Sequence, residues 1–115
     1  IGKNISVNYN VNINSSNGGT IVIGNNVLIA SNVVIRAANH NINDSSNLIS
    51  NSGHNAGKIV IGNDVWIGSN SVILKDVNIG SGAVIGAGCI IFKDVKENEI
   101  ILNSGQQIVS KRRFK

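Results

Sequence analysis

The chain reads as an all-β coil wound into a triangular prism, and three observations predict it. Isoleucine recurs every six residues without a slip at Ile61, Ile67, Ile73, Ile79, Ile85 and Ile91. A period of six fits neither the 3.6 of an α-helix nor the 2 of an ordinary strand. It fits a chain in which three hexads make one turn of about eighteen residues, each placing one aliphatic side chain on the prism axis. The composition agrees, because 42% of the residues are hydrophobic but only 3% aromatic, so the core must be built from Ile and Val. Such a core suits narrow, stacked parallel strands. Finally, Gly and Asn are abundant, and both tolerate the positive φ that tight corners demand.

In order along the chain, the axial positions are Ile1, Val7 and Ile13, then Ile23, Ile29 and Ile35, then Ile61 through Ile91. Two residues before most of them stands a second small or branched apolar residue. These are Ile5, Val11, Ile21, Val27, Val33, Ile59, Val65, Val77, Ala83, Cys89 and Val95. Gly follows the axial Ile at Gly24, Gly62, Gly68, Gly80 and Gly86, where a corner is expected. The phase breaks twice. The step from Ile13 to Ile23 is ten residues, so Ser15–Gly19 adds a small loop. The step from Ile35 to Ile61 is twenty-six, and the polar, Gly-rich stretch 41–58 leaves the prism as an excursion. Long loops on a regular scaffold commonly carry binding work. After Val95 the hexads fade. The expected organisation is a prism domain over 1–105 and a basic tail over 106–115.

The net charge of +4 comes from the end of the chain. Up to Ser110 the six basic residues are matched by six acidic ones, and the excess is Lys111, Arg112, Arg113 and Lys115. A nucleic-acid face would spread its charge over the fold and interleave it with aromatics, so no nucleic-acid partner is expected. No apolar run is long enough to span a membrane, because Gly and Asn interrupt each one, and no signal peptide is visible. A single cysteine, Cys89, excludes an internal disulfide and suits a reducing, cytoplasmic compartment. Its inward position gives it a packing role. The chain starts in phase with the repeat and without Met, which leaves room for a preceding segment. Unprotected strand ends and flat apolar faces lead to an expectation of oligomerisation.

The stretch 59–95 contains Ile-Gly-Asn-Asp-Val-Trp-Ile-Gly-Ser, then Ile-Gly-Ser-Gly-Ala-Val-Ile-Gly-Ala-Gly, then Lys-Asp-Val. With the isolated His40 ahead of the long loop, it resembles the hexapeptide-repeat acyltransferases. It is most similar to the maltose/galactoside O-acetyltransferase branch, which includes capsule and O-antigen sugar acetyltransferases. The resemblance runs from about Asn8 to Lys96 and implies a left-handed parallel β-helix. It also implies a homotrimer with active sites in grooves between subunits, acetyl-CoA as co-substrate and a sugar or polysaccharide hydroxyl as acceptor.

His40, in Ala-Ala-Asn-His-Asn, matches the branch's catalytic His. A sugar hydroxyl is too weak an acid to attack a thioester at neutral pH unaided, and a neutral imidazole can take its proton as attack develops. Asn8 matches an acceptor-binding Asn, and an amide that both donates and accepts suits a hydroxyl. Tyr9 beside it is a candidate to stack on a sugar ring. Trp66, the single tryptophan, borders the groove in the family and offers apolar surface to a pantetheine arm or a sugar face. Ser69 and Ala87 match positions where backbone meets the cofactor, and their amides are placed to hold a thioester oxygen.

The family's terminal Gly-Asn-Pro-Ala-Lys-like turn is replaced here by Asn103-Ser104-Gly105-Gln106-Gln107-Ile108, in a chain without proline. Either phosphate contacts then fall to Lys111, Arg112 and Arg113, with Lys93 nearby, or the cofactor is held less tightly than in the family. His54 has no family match and reads as a loop residue. No metal is expected: a γ-type carbonic anhydrase needs three His ligands, and the chain has two His. Ice binding needs a face of repeated Thr, and Thr20 stands alone. N-acetylation of an amino-sugar nucleotide and a non-catalytic scaffold remain as alternatives.

Overall fold

The computed structural model describes residues 1–103 and 107–112; the side chains of Gln107 and Ile108 are not included. The chain winds as the expected prism. Its first face stacks β1 (Ser6–Val7), β4 (Leu28–Ile29), β9 (Trp66–Ile67), β12 (Val84–Ile85) and β14 (Glu99–Asn103). The second stacks β2 (Asn12–Asn14), β5 (Val34–Arg36), β10 (Val72–Ile73) and β13 (Ile90–Ile91). The third stacks β3 (Thr20–Ile23), β8 (Lys58–Ile61) and β11 (Val77–Ile79). All of these pairings are parallel, and the fold is a left-handed parallel β-helix.

The register repeats the sequence phase. On the first face Ser6 lies beside Leu28, Leu28 beside Trp66 and Trp66 beside Val84, which are steps of 22, 38 and 18 residues. The two long steps carry the two phase breaks and the third is the regular turn. Ile29, Ile35, Ile61, Ile67, Ile73, Ile79, Ile85 and Ile91 are buried in one column beside Val27, Val33, Val65 and Val77. The first coil differs: Ile1, Val7 and Ile13 are 84%, 48% and 37% exposed, because a turn packs against one side of them only.

Three details depart from the expected pattern. Ser71 occupies an inward position between Val33 and Cys89 and is fully buried. Its hydroxyl is satisfied, donating to the Gly86 carbonyl (2.9 Å) and accepting from the Cys89 N–H (3.3 Å). Val95 lies beside Ile79 rather than Val77. The hexads therefore do not fade there: one step shortens from six to four, and Ile101, buried beside Ile85, resumes the period. Beyond it, β15 (Gln107–Lys111) pairs antiparallel with β14. The described part of the basic tail thus adds an edge to the first face, while Arg113 and Ser104–Gln106 lie outside the described residues.

Asn and Gly divide the corner work. Every described non-glycine residue with positive φ is Asn or Asp, including Asn26 (60°), Asp64 (55°) and Asn70 (63°). The glycines after the axial isoleucines serve a different need, close stacking of turns. A Cβ on Gly62 would stand 2.6 Å from Ser81, and one on Gly68 would stand 2.6 Å from the Ala87 nitrogen. Asn side chains also bond between turns, as Asn10 does to Asn32 (2.6 Å). No helix among the described residues is long and apolar enough to cross a membrane.

Candidate active site

The excursion is a small hairpin on the edge between the second and third faces. β6 (Ala38–His40) pairs antiparallel with β7 (His54–Ala56), and a short 3-10 turn at Ile49–Asn51 lies between them. The return strand re-enters the prism at Lys58, so the excursion runs slightly earlier than 41–58. The hairpin root is firmly tied: the Gly57 N–H donates to Ala37 (2.8 Å), and the Asn41 N–H donates to Gly53 (2.9 Å). The Asp76 carboxylate accepts from the Lys58 N–H (3.3 Å) and pairs with Lys75 (2.9 Å). These contacts hold it below the usual carboxylate range, the Lys75 hydrogen bond first.

The small loop at Ser15–Gly19 braces that root. A Cβ on Gly19 would stand 2.7 Å from the Ala37 side chain and carbonyl, and the Thr20 N–H donates to Gly57 (3.1 Å). Arg36 reaches back to Asn14 (3.0 Å) and to the Ser16 hydroxyl (3.1 Å).

His40 closes β6 with its side chain exposed. Directly opposite, His54 opens β7, and the two rings lie 4.5 Å apart between centroids with their planes 33° from parallel. His54 is thus a partner of His40 and not an isolated loop residue. In this register the mirrored segments Ala38-Asn39-His40 and His54-Asn55-Ala56 set each residue opposite one of its own kind.

The other expected site residues fall elsewhere. Asn8, Tyr9, Ser69 and Ala87 share the edge between the first and second faces, because each follows a first-face strand. Asn8 turns its amide oxygen to the Tyr9 N–H (2.8 Å), and Tyr9 is 72% exposed. The Ser69 and Ala87 N–H groups donate to no other described residue. Trp66 stands on the outer surface of the first face between Leu28 and Val84, half exposed. It lines a depression of about 160 Å³ together with Leu28, Asp64, Val84 and Arg112. Arg112 donates there to the Gly82 carbonyl (2.7 Å) and to Asp64 (3.3 Å). Lys111 is exposed on β15 beside Glu99. Lys93 lies at the second-to-third edge with its ammonium 5.6 Å from the Phe92 ring centroid.

The structure therefore brings Trp66 together with Arg112, whereas Asn8 and Tyr9 share an edge with Ser69 and Ala87 but stand on another turn, with that of Ser31 between. His40 projects from a different edge of the prism. Cys89 is buried, which pushes its thiol up, away from the reactive thiolate.

Residues 58–93 match the bacterial transferase hexapeptide model of six repeats. The galactoside O-acetyltransferase of Escherichia coli K12 is 42% identical over 100 residues, which are 87% of this chain and 47% of that protein. The chain thus spans about half the length of that relative. The maltose O-acetyltransferase of Clostridium difficile 630 superposes with a TM-score of 0.77 at 29% identity, over all of this chain and 70% of that one. A polySia-specific acetyltransferase superposes with a TM-score of 0.75 at 28% identity, over 96% of this chain and 50% of that one. Residues 58–93 thus carry the bacterial-transferase hexapeptide repeat, and the chain as a whole resembles the galactoside and maltose O-acetyltransferase branch.

Proposed function

We propose that this chain is the acetyl-CoA-dependent O-acetyltransferase domain of an enzyme that modifies a sugar or polysaccharide hydroxyl in the cytoplasm. The observation that carries the reading is His40. It stands exposed on a tethered hairpin raised from a prism that is 42% identical to a galactoside O-acetyltransferase.

His40 acts as general base. Its neutral imidazole accepts the proton of the acceptor hydroxyl while the oxygen bonds to the acetyl carbonyl carbon, and it returns that proton to the departing thiolate. The free N–H groups of Ser69 and Ala87 suit the oxygen on which negative charge develops. Trp66 with Leu28 and Val84 supplies apolar surface for the pantetheine arm, and Tyr9 and Asn8 face the sugar. The cationic ends Lys93, Lys111 and Arg112 meet the CoA phosphates. Arg112 has the least freedom of these, since Asp64 and the Gly82 carbonyl already engage it.

His40 and Trp66 occupy different sides of one prism, so a complete site needs a second copy. A homotrimer, in which the His40 edge of each prism faces the Trp66 face of the next, meets that need. Mixing His40→Ala subunits with Trp66→Ala subunits should then restore measurable activity, whereas a site within one chain would leave the mixture dead.

The principal test is acetylation of a panel of hydroxyl acceptors. His40→Ala should lose about 10²- to 10⁴-fold in turnover, with melting temperature and CoA binding retained. Near-normal turnover in that variant would remove His40 as the base.

A further inference from the structure

We infer that His54 is a positioning residue for His40: the cross-strand imidazole stack holds the base ring in its working orientation. The inference rests on the reading of His40 as general base.

Backbone geometry makes the stack. The Asn41/Gly53 and Ala37/Gly57 positions are hydrogen-bonded pairs of the hairpin. Bonded and non-bonded pairs alternate in an antiparallel ladder. His40 and His54 therefore form a non-hydrogen-bonded pair, the kind in which opposed side chains approach most closely. The observed centroid separation of 4.5 Å and the 33° tilt fit an offset aromatic contact.

Neither imidazole makes a hydrogen bond to another described residue. A base is often oriented by a carboxylate on its second nitrogen. The acid of this loop, Asp44, instead spends its oxygens on Ser46 and Asn47. An exposed imidazole on a strand has several rotamers open to it. The His54 ring covers one flank of His40, excludes the rotamers that would swing it across the hairpin, and leaves the ring edge available to an acceptor. His54 itself needs no proton for this work.

The test separates stacking from chemistry by comparing His54→Ala with His54→Phe, which keeps a flat ring and lacks an acid or base. His54→Ala should lower kcat about 10- to 100-fold with KM for acceptor and acetyl-CoA changed less than about twofold, and His54→Phe should recover most of the loss. Full kcat in His54→Ala overturns the inference. So does a His54→Phe variant as impaired as His54→Ala, because the imidazole itself would then be required. Proton–carbon NMR of the His40 ring reads the stack without turnover: its Hε1 resonance should move in His54→Ala, as the neighbouring ring current is lost. An unmoved resonance overturns the stack. Should His40→Ala retain activity, the base reading fails on its own, and the NMR arm still decides whether the rings are stacked. Both side chains are exposed, so melting temperature and oligomeric state should stay unchanged in each variant.

Discussion

The stretch from Ile59 to Ile91 and the stretch from Ile13 to Ile61 are built on one rule and differ at a single edge. In the first, each axial residue is followed by the next after six positions, on every face. In the second, the corners leading onto the first and second faces also keep six, as from Ile23 to Ile29 to Ile35. The corner between the second and third faces takes all of the variation, ten residues after Ile13 and twenty-six after Ile35. After Ile91 the same corner takes four. Insertions at a corner leave strand register untouched, so the column of isoleucines continues beneath them. One edge of the prism is thus free to grow outward, and His40 stands there. The small loop and the long hairpin form one feature, since Gly19 packs against Ala37 at the hairpin root.

The largest contrast between the regions should appear in the core. Ile73→Ala, at a fully buried position between Ile35 and Ile91, should cost about 2–5 kcal/mol in urea unfolding. Leu48→Ala on the excursion, where Leu48 is 70% exposed, should stay within about 0.5 kcal/mol. Equal losses would show that the excursion is part of the core.

Next comes the brace between the loops. Gly19→Ala should cost about 1–3 kcal/mol by overpacking against the Ala37 backbone. It should also raise amide exchange in β6 and β7 more than in β10. Uniform exchange would mean that the hairpin does not depend on the small loop.

A smaller effect belongs to the corners. Asn70→Ala, at φ 63°, should lose about 1–2 kcal/mol in thermal melts, whereas Asn70→Gly should be nearly neutral. A glycine variant as unstable as the alanine variant would shift the explanation from φ to the Asn side chain.

The smallest effect is confined to the loop. Hydrogen bonds from Ser46 and Asn47 hold the Asp44 carboxyl below the usual carboxylate range. A lowered folded-state value means the contribution is present at neutral pH, and it is lost as pH falls below the ordinary carboxylate value and through the lowered one. Amide shifts of Ser46 and Asn47 should change in that acid window while those of β10 do not. Loosening of both together would tie the loop to the prism.

Much of this was legible in the residues. The six-residue spacing located the column, and the two irregular steps located the small loop and the excursion. His40 was legible as a residue at the mouth of the long loop, and its role was implied only by the resemblance. His54 was not, because a residue fourteen positions away is a neighbour only once the hairpin register is known. Ser71 escaped for a related reason: a hydroxyl is tolerated inside only when acceptors and donors from other turns reach it. Val95 was assigned to the wrong column because a four-residue step looks, locally, like the end of the repeat.

Sequence periodicity alone determined the prism, its apolar column and the places where it is interrupted, since each depends on neighbours at a constant spacing. Tertiary structure decided which edge received the interruptions, that two imidazoles meet across a hairpin, and that His40 and Trp66 lie on different sides of one chain. Those outcomes depend on how turns of unequal length stack, and a stacking register brings together residues whose separation along the chain carries no local signal.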